Sequence, residues 1–165
     1  MTLDRNKKVL EELENNWGLS KSKAKILLDA IYRGDNILIT GSVFSGKSKL
    51  IYRLADMLDL HDVIQCGLPR IGTYDIIKKL NKRIYKGYMV AVHGEDLIDA
   101  LENIAEIIED DPEVCIEGTG TELREQIKDS FDTVVLVERD KYGRHIVSQV
   151  APIDKNIEKR SYKIA

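Results

Sequence analysis

Two hydrophobic rhythms alternate along this chain. Short apolar, β-branched runs are separated by longer stretches in which apolar residues return every third or fourth position. The runs that read as strands are Ile37-Leu38-Ile39, Val63-Ile64-Gln65-Cys66, Tyr88-Met89-Val90-Ala91-Val92, Thr133 to Val137 and His145 to Val150, with Val114-Cys115-Ile116 as a further short apolar run. Leu10, Leu13 and Trp17 lie along one side of a helix over residues 3–16, which Gly18 interrupts. Ser20 is the expected N-cap of a second helix, where Ala24, Leu27, Leu28 and Ile31 share one face and Gly34-Asp35 makes the stop. Leu50, Ile51, Leu54, Ala55 and Leu58 mark another helix, and Ile76, Ile77, Leu80 and Ile84 the next. Leu97, Leu101, Ile104, Ala105 and Ile108 form a stripe ended by Asp110-Asp111-Pro112. Thr119 and Glu122 have capping-box spacing and open a helix to about Ser130.

Strands alternating with helices predict an α/β domain with a mostly parallel sheet flanked by helices. The turn at Tyr142-Gly143 predicts a closing hairpin that adds an antiparallel edge. In such sheets ligands sit at the carboxyl ends of the strands, so Gly41–Ser48, Gly67–Arg70, His93–Glu95 and Glu117–Thr119 are expected to face one crevice.

Composition narrows the class. Hydrophobic residues make up 43% of the 165 and charged residues 32%, as in ordinary globular proteins. A net charge of −3 provides no global basic field, which argues against nucleic acid as a partner. No apolar run reaches the length of a membrane span, and the charged N-terminus lacks a signal-peptide core, so a cytoplasmic location is expected. Cys66 and Cys115 lie in apolar runs and are expected to be buried, reduced thiols.

The chemistry concentrates in Gly41-Ser42-Val43-Phe44-Ser45-Gly46-Lys47-Ser48, which reads G-x-x-x-x-G-K-S between a strand and a helix. This is the phosphate-binding P-loop pattern in its required context. Gly41 and Gly46 let the backbone curl so that N–H groups from about Val43 to Ser48 point at one anion. The positive end of the following helix dipole adds to that field. Lys47 is placed for the β- and γ-phosphates and the Ser48 hydroxyl for Mg²⁺, which makes ATP with Mg²⁺ the expected ligand. The expected division is a helical extension over 1–34, a P-loop nucleotide-binding domain over 35–153 and a polar tail over 154–165.

With those strand ends in view, the chain resembles the P-loop ATPase motors of type II and type IV secretion, type IV pili and conjugation, from about Leu28 to Val150. Asp35 to Gly41, followed by Ser45-Gly46-Lys47-Ser48, is similar to that family's approach to its P-loop. Val63 to Arg70 resembles its Walker B segment, an apolar strand ending in Gly-Glu-x-Arg. Gly87 to His93 resembles its His box, with Asp99-Ala100-Leu101 following, and Phe131 to Val150 its closing hairpin. The resemblance implies a RecA-like fold, nucleotide binding, and either a homo-oligomer or a secretion- or conjugation-type protein partner. The departures are specific. Leu68 stands at the Walker B glutamate, and a leucine can neither accept a proton nor orient water. The acidic segment usually found between P-loop and Walker B is missing, and two helices replace the usual N-terminal domain, so a divergent, truncated relative is expected.

Several side chains have two readings each. His93 is a γ-phosphate sensor or a strand-end cap. Arg70 reaches phosphate or a neighbouring subunit, or forms a surface ion pair. Glu117 and Glu95 are the candidate replacements for the missing base, or helix N-terminal carboxylates. Lys78, Lys79, Lys82, Arg83 and Lys86 form a polyanion site or a solvated helix face. The leading expectation is an ATP/Mg-binding protein with weak or absent hydrolysis. An active ATPase using Glu117 or Glu95, a small-molecule kinase, and a non-enzymatic adaptor with an unused P-loop stand as alternatives.

Overall fold

The computed structural model describes residues 2–60, 64–84, 87–116 and 119–154. Five strands form one sheet in the order β2-β3-β1-β4-β5. They are β1 (Ile37–Gly41), β2 (Ile64–Cys66), β3 (Met89–His93), β4 (Thr133–Arg139) and β5 (His145–Pro152). β1 runs parallel to both β3 and β4, β2 runs parallel to β3, and β5 returns antiparallel to β4. The expected α/β architecture, including its closing hairpin, is the one found.

The helices are α1 (Thr2–Trp17), α2 (Lys21–Arg33), α3 (Lys47–Leu58), α4 (Thr73–Asn81), α5 (Leu97–Glu109) and α6 (Gly120–Asp129). They divide between the two faces of the sheet. Because side chains alternate along a strand, each central strand feeds both faces. Ile37 and Ile39 join Met89, Ala91, Val135 and Val137 in a core shared with α1, α2 and α3. Leu38 joins Val90, Val92 and Val134 in a second core under α4, α5 and α6. All five residues of β1 are buried, and its one polar side chain, Thr40, donates its hydroxyl to Gly94 O at 3.1 Å.

Helix ends follow local chemistry. The Ser20 hydroxyl accepts from Lys23 N–H at α2, and the Asp96 carboxylate accepts from Asp99 N–H at α5. Thr119 and Glu122 make the expected reciprocal capping box at α6. Gly34 closes α2 in the left-handed conformation at φ 78°. At the amino end of the sheet, buried Asn36 is a staple. Its Nδ2 donates to Ser130 O at 3.1 Å and Leu80 O at 3.4 Å, and its Oδ1 accepts from Tyr88 N–H at 3.3 Å. Removing that amide would leave buried backbone groups unmet, at about 1–3 kcal/mol.

Three local expectations are corrected. Val114–Ile116 is not a strand: both places beside β1 are taken by β3 and β4, and Val114 and Ile116 instead pack against the α4–α6 core. Cys115 between them is exposed rather than buried. Ile84 lies beyond the end of α4 and is 62% exposed, so it is off that helix's buried stripe. Glu117, Val63 and Lys86 lie outside the described residues, as does the side chain of Cys66. Among the described residues, no helix is long and apolar enough to cross a membrane.

Candidate functional site

The P-loop leaves the carboxyl end of β1 at the centre of the sheet and runs into α3. Gly41 ends β1, close against β4. A Cβ there would fall 2.1 Å from Val137 O and 2.6 Å from Ser45 Oγ. No side chain fits, so the first glycine of the motif is required by packing. Gly46, the N-cap of α3, is left-handed at φ 104° and offers no side-chain cap. A Cβ on Gly46 would sit 2.7 Å from His145 Nδ1.

Four of the loop's carbonyls are tied to side chains. Lys47 Nζ donates to Gly41 O at 2.9 Å and Ser42 O at 2.8 Å. Arg139 Nε donates to Phe44 O at 2.8 Å. His145 Nδ1 lies 2.7 Å from Ser45 O. A carbonyl oxygen only accepts, so Nδ1 carries the proton in that bond. A trans peptide points its N–H opposite to its C=O. Pinning Ser45 O on His145 therefore aims the Gly46 N–H away from the imidazole. The first N–H groups of α3 have no intrahelical carbonyl to reach. The first turn of α3 also carries no acidic residue.

In front of these groups lies a cavity of about 360 Å³, lined by Phe44, Gly46, Lys47, Ser48, Lys49, Arg139 and His145. The lining carries cations and no carboxylate. Burial lowers the pKa of the Lys47 ammonium. An anion in the cavity would reverse that penalty by restoring the advantage of the charged form. The buried hydroxyl of Ser45 has no hydrogen-bond partner. A left-handed glycine and an uncapped helix N-terminus beside Lys47, Lys49 and Arg139 together fit a bound phosphate group.

The other candidates are placed unevenly. His93 is opposite Gly41 in the β1–β3 register, and Gly94 N–H donates to Gly41 O at 3.2 Å, so His93 stands beside the start of the loop. Its carbonyl accepts from Asn103 Nδ2 at 2.7 Å. Glu95 follows, exposed, with its N–H on Asp99 Oδ2 at 2.9 Å. Arg70 is not brought to the loop. With Leu68 it lines a separate cavity of about 440 Å³ beside Ile107 and Asp110, because β2 is the edge strand and β3 stands between it and β1. Leu68 is partly buried against the α4–α6 core. In the basic cluster, Lys78 pairs with Asp75 at 3.0 Å and Arg83 with Asp132 at 2.7 Å, as a solvated helix face would.

Sequence reasoning missed Arg139 and His145. Both flank the hairpin turn, about a hundred positions from the loop they touch. The only available signal was that the closing hairpin follows the strand beside β1.

No protein-family model matches the sequence, and no curated protein matches it. Solved structures do. The VirB11 ATPase of the Brucella suis type IV secretion system, solved in complex with sulphate, superposes with a TM-score of 0.64 at 13% identity over 92% of this chain. The fold is shared with VirB11. The match covers 58% of the VirB11 chain, so this chain spans little more than half of that protein's length. The Legionella pneumophila ATPase DotB gives a TM-score of 0.47 at 12% identity over 79% of this chain and 48% of DotB. At these identities the likeness is one of fold.

Proposed function

We propose that this chain binds ATP with Mg²⁺ in the P-loop cavity and hydrolyses it weakly or not at all. The observation that carries the reading is the N-terminus of α3. It is uncapped, free of acidic side chains in its first turn and faced by Lys47, while the loop's carbonyls are tied back. The sulphate held by VirB11 supports an anion site on this fold. Lys47 would meet the β- and γ-phosphates, and Ser48 would hold the magnesium together with phosphate oxygens. Magnesium, when bound, neutralises phosphate charge. Lys49 and Arg139 add positive charge at the rim.

Weak hydrolysis is supported by the cavity's lining, which holds no carboxylate among the described residues, and by the resemblance at Leu68. A water-orienting carboxylate is needed for fast attack. Leu68 stands in that place by resemblance and packs against the core. Phosphoryl transfer relies mainly on positioning and charge neutralisation, so such a loop keeps affinity while losing rate. Glu95 favours a second reading, a working ATPase, because it follows the strand beside β1. Nucleotide occupancy would then act as a conformational signal in the first reading and as a motor step in the second.

Phosphate release per protomer, measured beside Lys47→Ala, tests this. The expected result is tight binding of a fluorescent ATP analogue, lost in Lys47→Ala, with turnover near background. Robust release abolished by Glu95→Ala would replace the reading with the working ATPase. ATP consumption that starts only on addition of a metabolite would point to a kinase.

A further inference from the structure

The closing hairpin does more than finish the sheet. Arg139 ends β4, His145 begins β5, and the two are register partners across the ladder. Each gives its side chain to a consecutive carbonyl of the P-loop, Arg139 to Phe44 and His145 to Ser45. The turn between them is fixed by Asp140. Its Oδ1 accepts the N–H groups of Tyr142 and Arg144, both at 2.9 Å, and its Oδ2 accepts from Arg144 Nε at 2.7 Å. The hairpin is therefore pre-set before it meets the loop.

His145 also faces the other way. Its ring stacks on Trp17, the last residue of α1, with centroids 6.1 Å apart and planes inclined by 27°. Trp17 is 2% exposed, so its indole cannot move aside without disturbing the α1–α3 core. His145 and Lys49 line both the P-loop cavity and a second cavity of about 730 Å³ between α1, α3 and the hairpin. The imidazole is thus a partition, with the loop on one side and the end of α1 on the other.

The geometry points to His145 as a positioning residue that holds the Ser45–Gly46 peptide in its anion-binding orientation and transmits loop occupancy to α1 through Trp17. The inference rests on the P-loop cavity being the nucleotide site. An anion that draws the Gly46 N–H inward pulls the Ser45 carbonyl with it, because the peptide is planar. The imidazole follows its hydrogen bond, and the indole meets a changed neighbour.

The chain holds a single tryptophan, so tryptophan emission reports the surroundings of Trp17, His145 among them. The test titrates Mg-ATP into the wild type, Lys47→Ala, His145→Leu and His145→Asn, following tryptophan emission and, separately, equilibrium dialysis of the nucleotide. Asparagine places an amide N–H the same number of bonds from Cβ as Nδ1 and can restore the bond to Ser45 O. The expected result is an emission change on saturation of the wild type that Lys47→Ala lacks. His145→Leu should bind about tenfold more weakly, with affinity recovered in His145→Asn. A purely structural histidine would lower the melting temperature without that rescue. Wild-type affinity in His145→Leu, or saturation of the wild type with no emission change, overturns the inference while leaving the P-loop reading intact. Absence of nucleotide binding by the wild type overturns both.

Discussion

Helices α3 and α4 begin alike and end up with opposite jobs. Each has a left-handed glycine as N-cap, Gly46 at φ 104° and Gly72 at φ 94°, and neither glycine supplies a capping side chain. At α4 the protein fills the gap itself. Asp111, only 4% exposed, accepts the Gly72 N–H at 3.2 Å, and Asp75 lies in the first turn. At α3, among the described residues, no carboxylate lines the cavity, and Lys47, Lys49 and Arg139 do. A helix N-terminus carries roughly half a positive charge, and proteins normally meet it with an acid or a hydroxyl. On the proposed reading, the helix end left without an acid at the centre of the sheet is the one that takes the ligand, while its twin at the edge is met by Asp111.

The sharpest way to break this comparison is to remove the group on each side. Lys47→Ala should weaken a fluorescent ATP analogue at least a hundredfold, about 2.7 kcal/mol. Asp111→Ala should leave that affinity within about twofold, and equal losses in both variants would dissolve the distinction. The glycines come next. Gly46→Ala meets both backbone strain and His145 at 2.7 Å, whereas a Cβ at Gly72 meets nothing within 4 Å. Chemical denaturation should therefore show a loss of about 2 kcal/mol or more for Gly46→Ala and about 1 kcal/mol for Gly72→Ala, where strain alone acts.

Asp111→Ala should lower stability by about 1 kcal/mol, read as a shift of a few degrees in the melting temperature. The smallest effect concerns how α3 is tied to α1. Glu12 accepts from Arg53 Nε at 3.0 Å and Nη2 at 3.2 Å. That partner holds the Glu12 carboxyl below the usual carboxylate range. A depressed carboxyl contributes stability that is present above its unfolded-state value and lost as pH falls through the lowered one. Because Arg53 is half exposed, the contribution is about 0.2–1 kcal/mol. Melting curves of Glu12→Gln against the wild type should differ at neutral pH and converge in acid.

The α3–α4 contrast also shows why some of the site was readable and some was not. A motif of eight residues placed the loop, because its curl and its lysine are local properties of the chain. The rule that ligands gather at strand ends grouped Arg70 with that loop, yet strand order set β2 at the edge and gave Arg70 a different cavity. His93 shares its strand's register with Gly41 because β3 is the neighbour of β1, a pairing that no spacing in the sequence encodes. Cys115 read as buried because its flanks are apolar, but alternation turned it outward while Val114 and Ile116 faced the core.

By itself the sequence determined the helices, their caps, the alternation of strand and helix, and the glycine-bounded loop. Each of these depends on interactions within three or four residues or on the period of the side chains. Only the tertiary structure decided that Arg139 and His145 hold loop carbonyls and that Asp111 answers α4 while, among the described residues, no acid answers α3. Those contacts join residues 39 to 100 positions apart. Those of Arg139 and His145 exist because the sheet sets β4 beside β1, and that of Asp111 because α5 packs beside α4; pairing across such distances is fixed by the packing of whole faces rather than by any local preference of the chain.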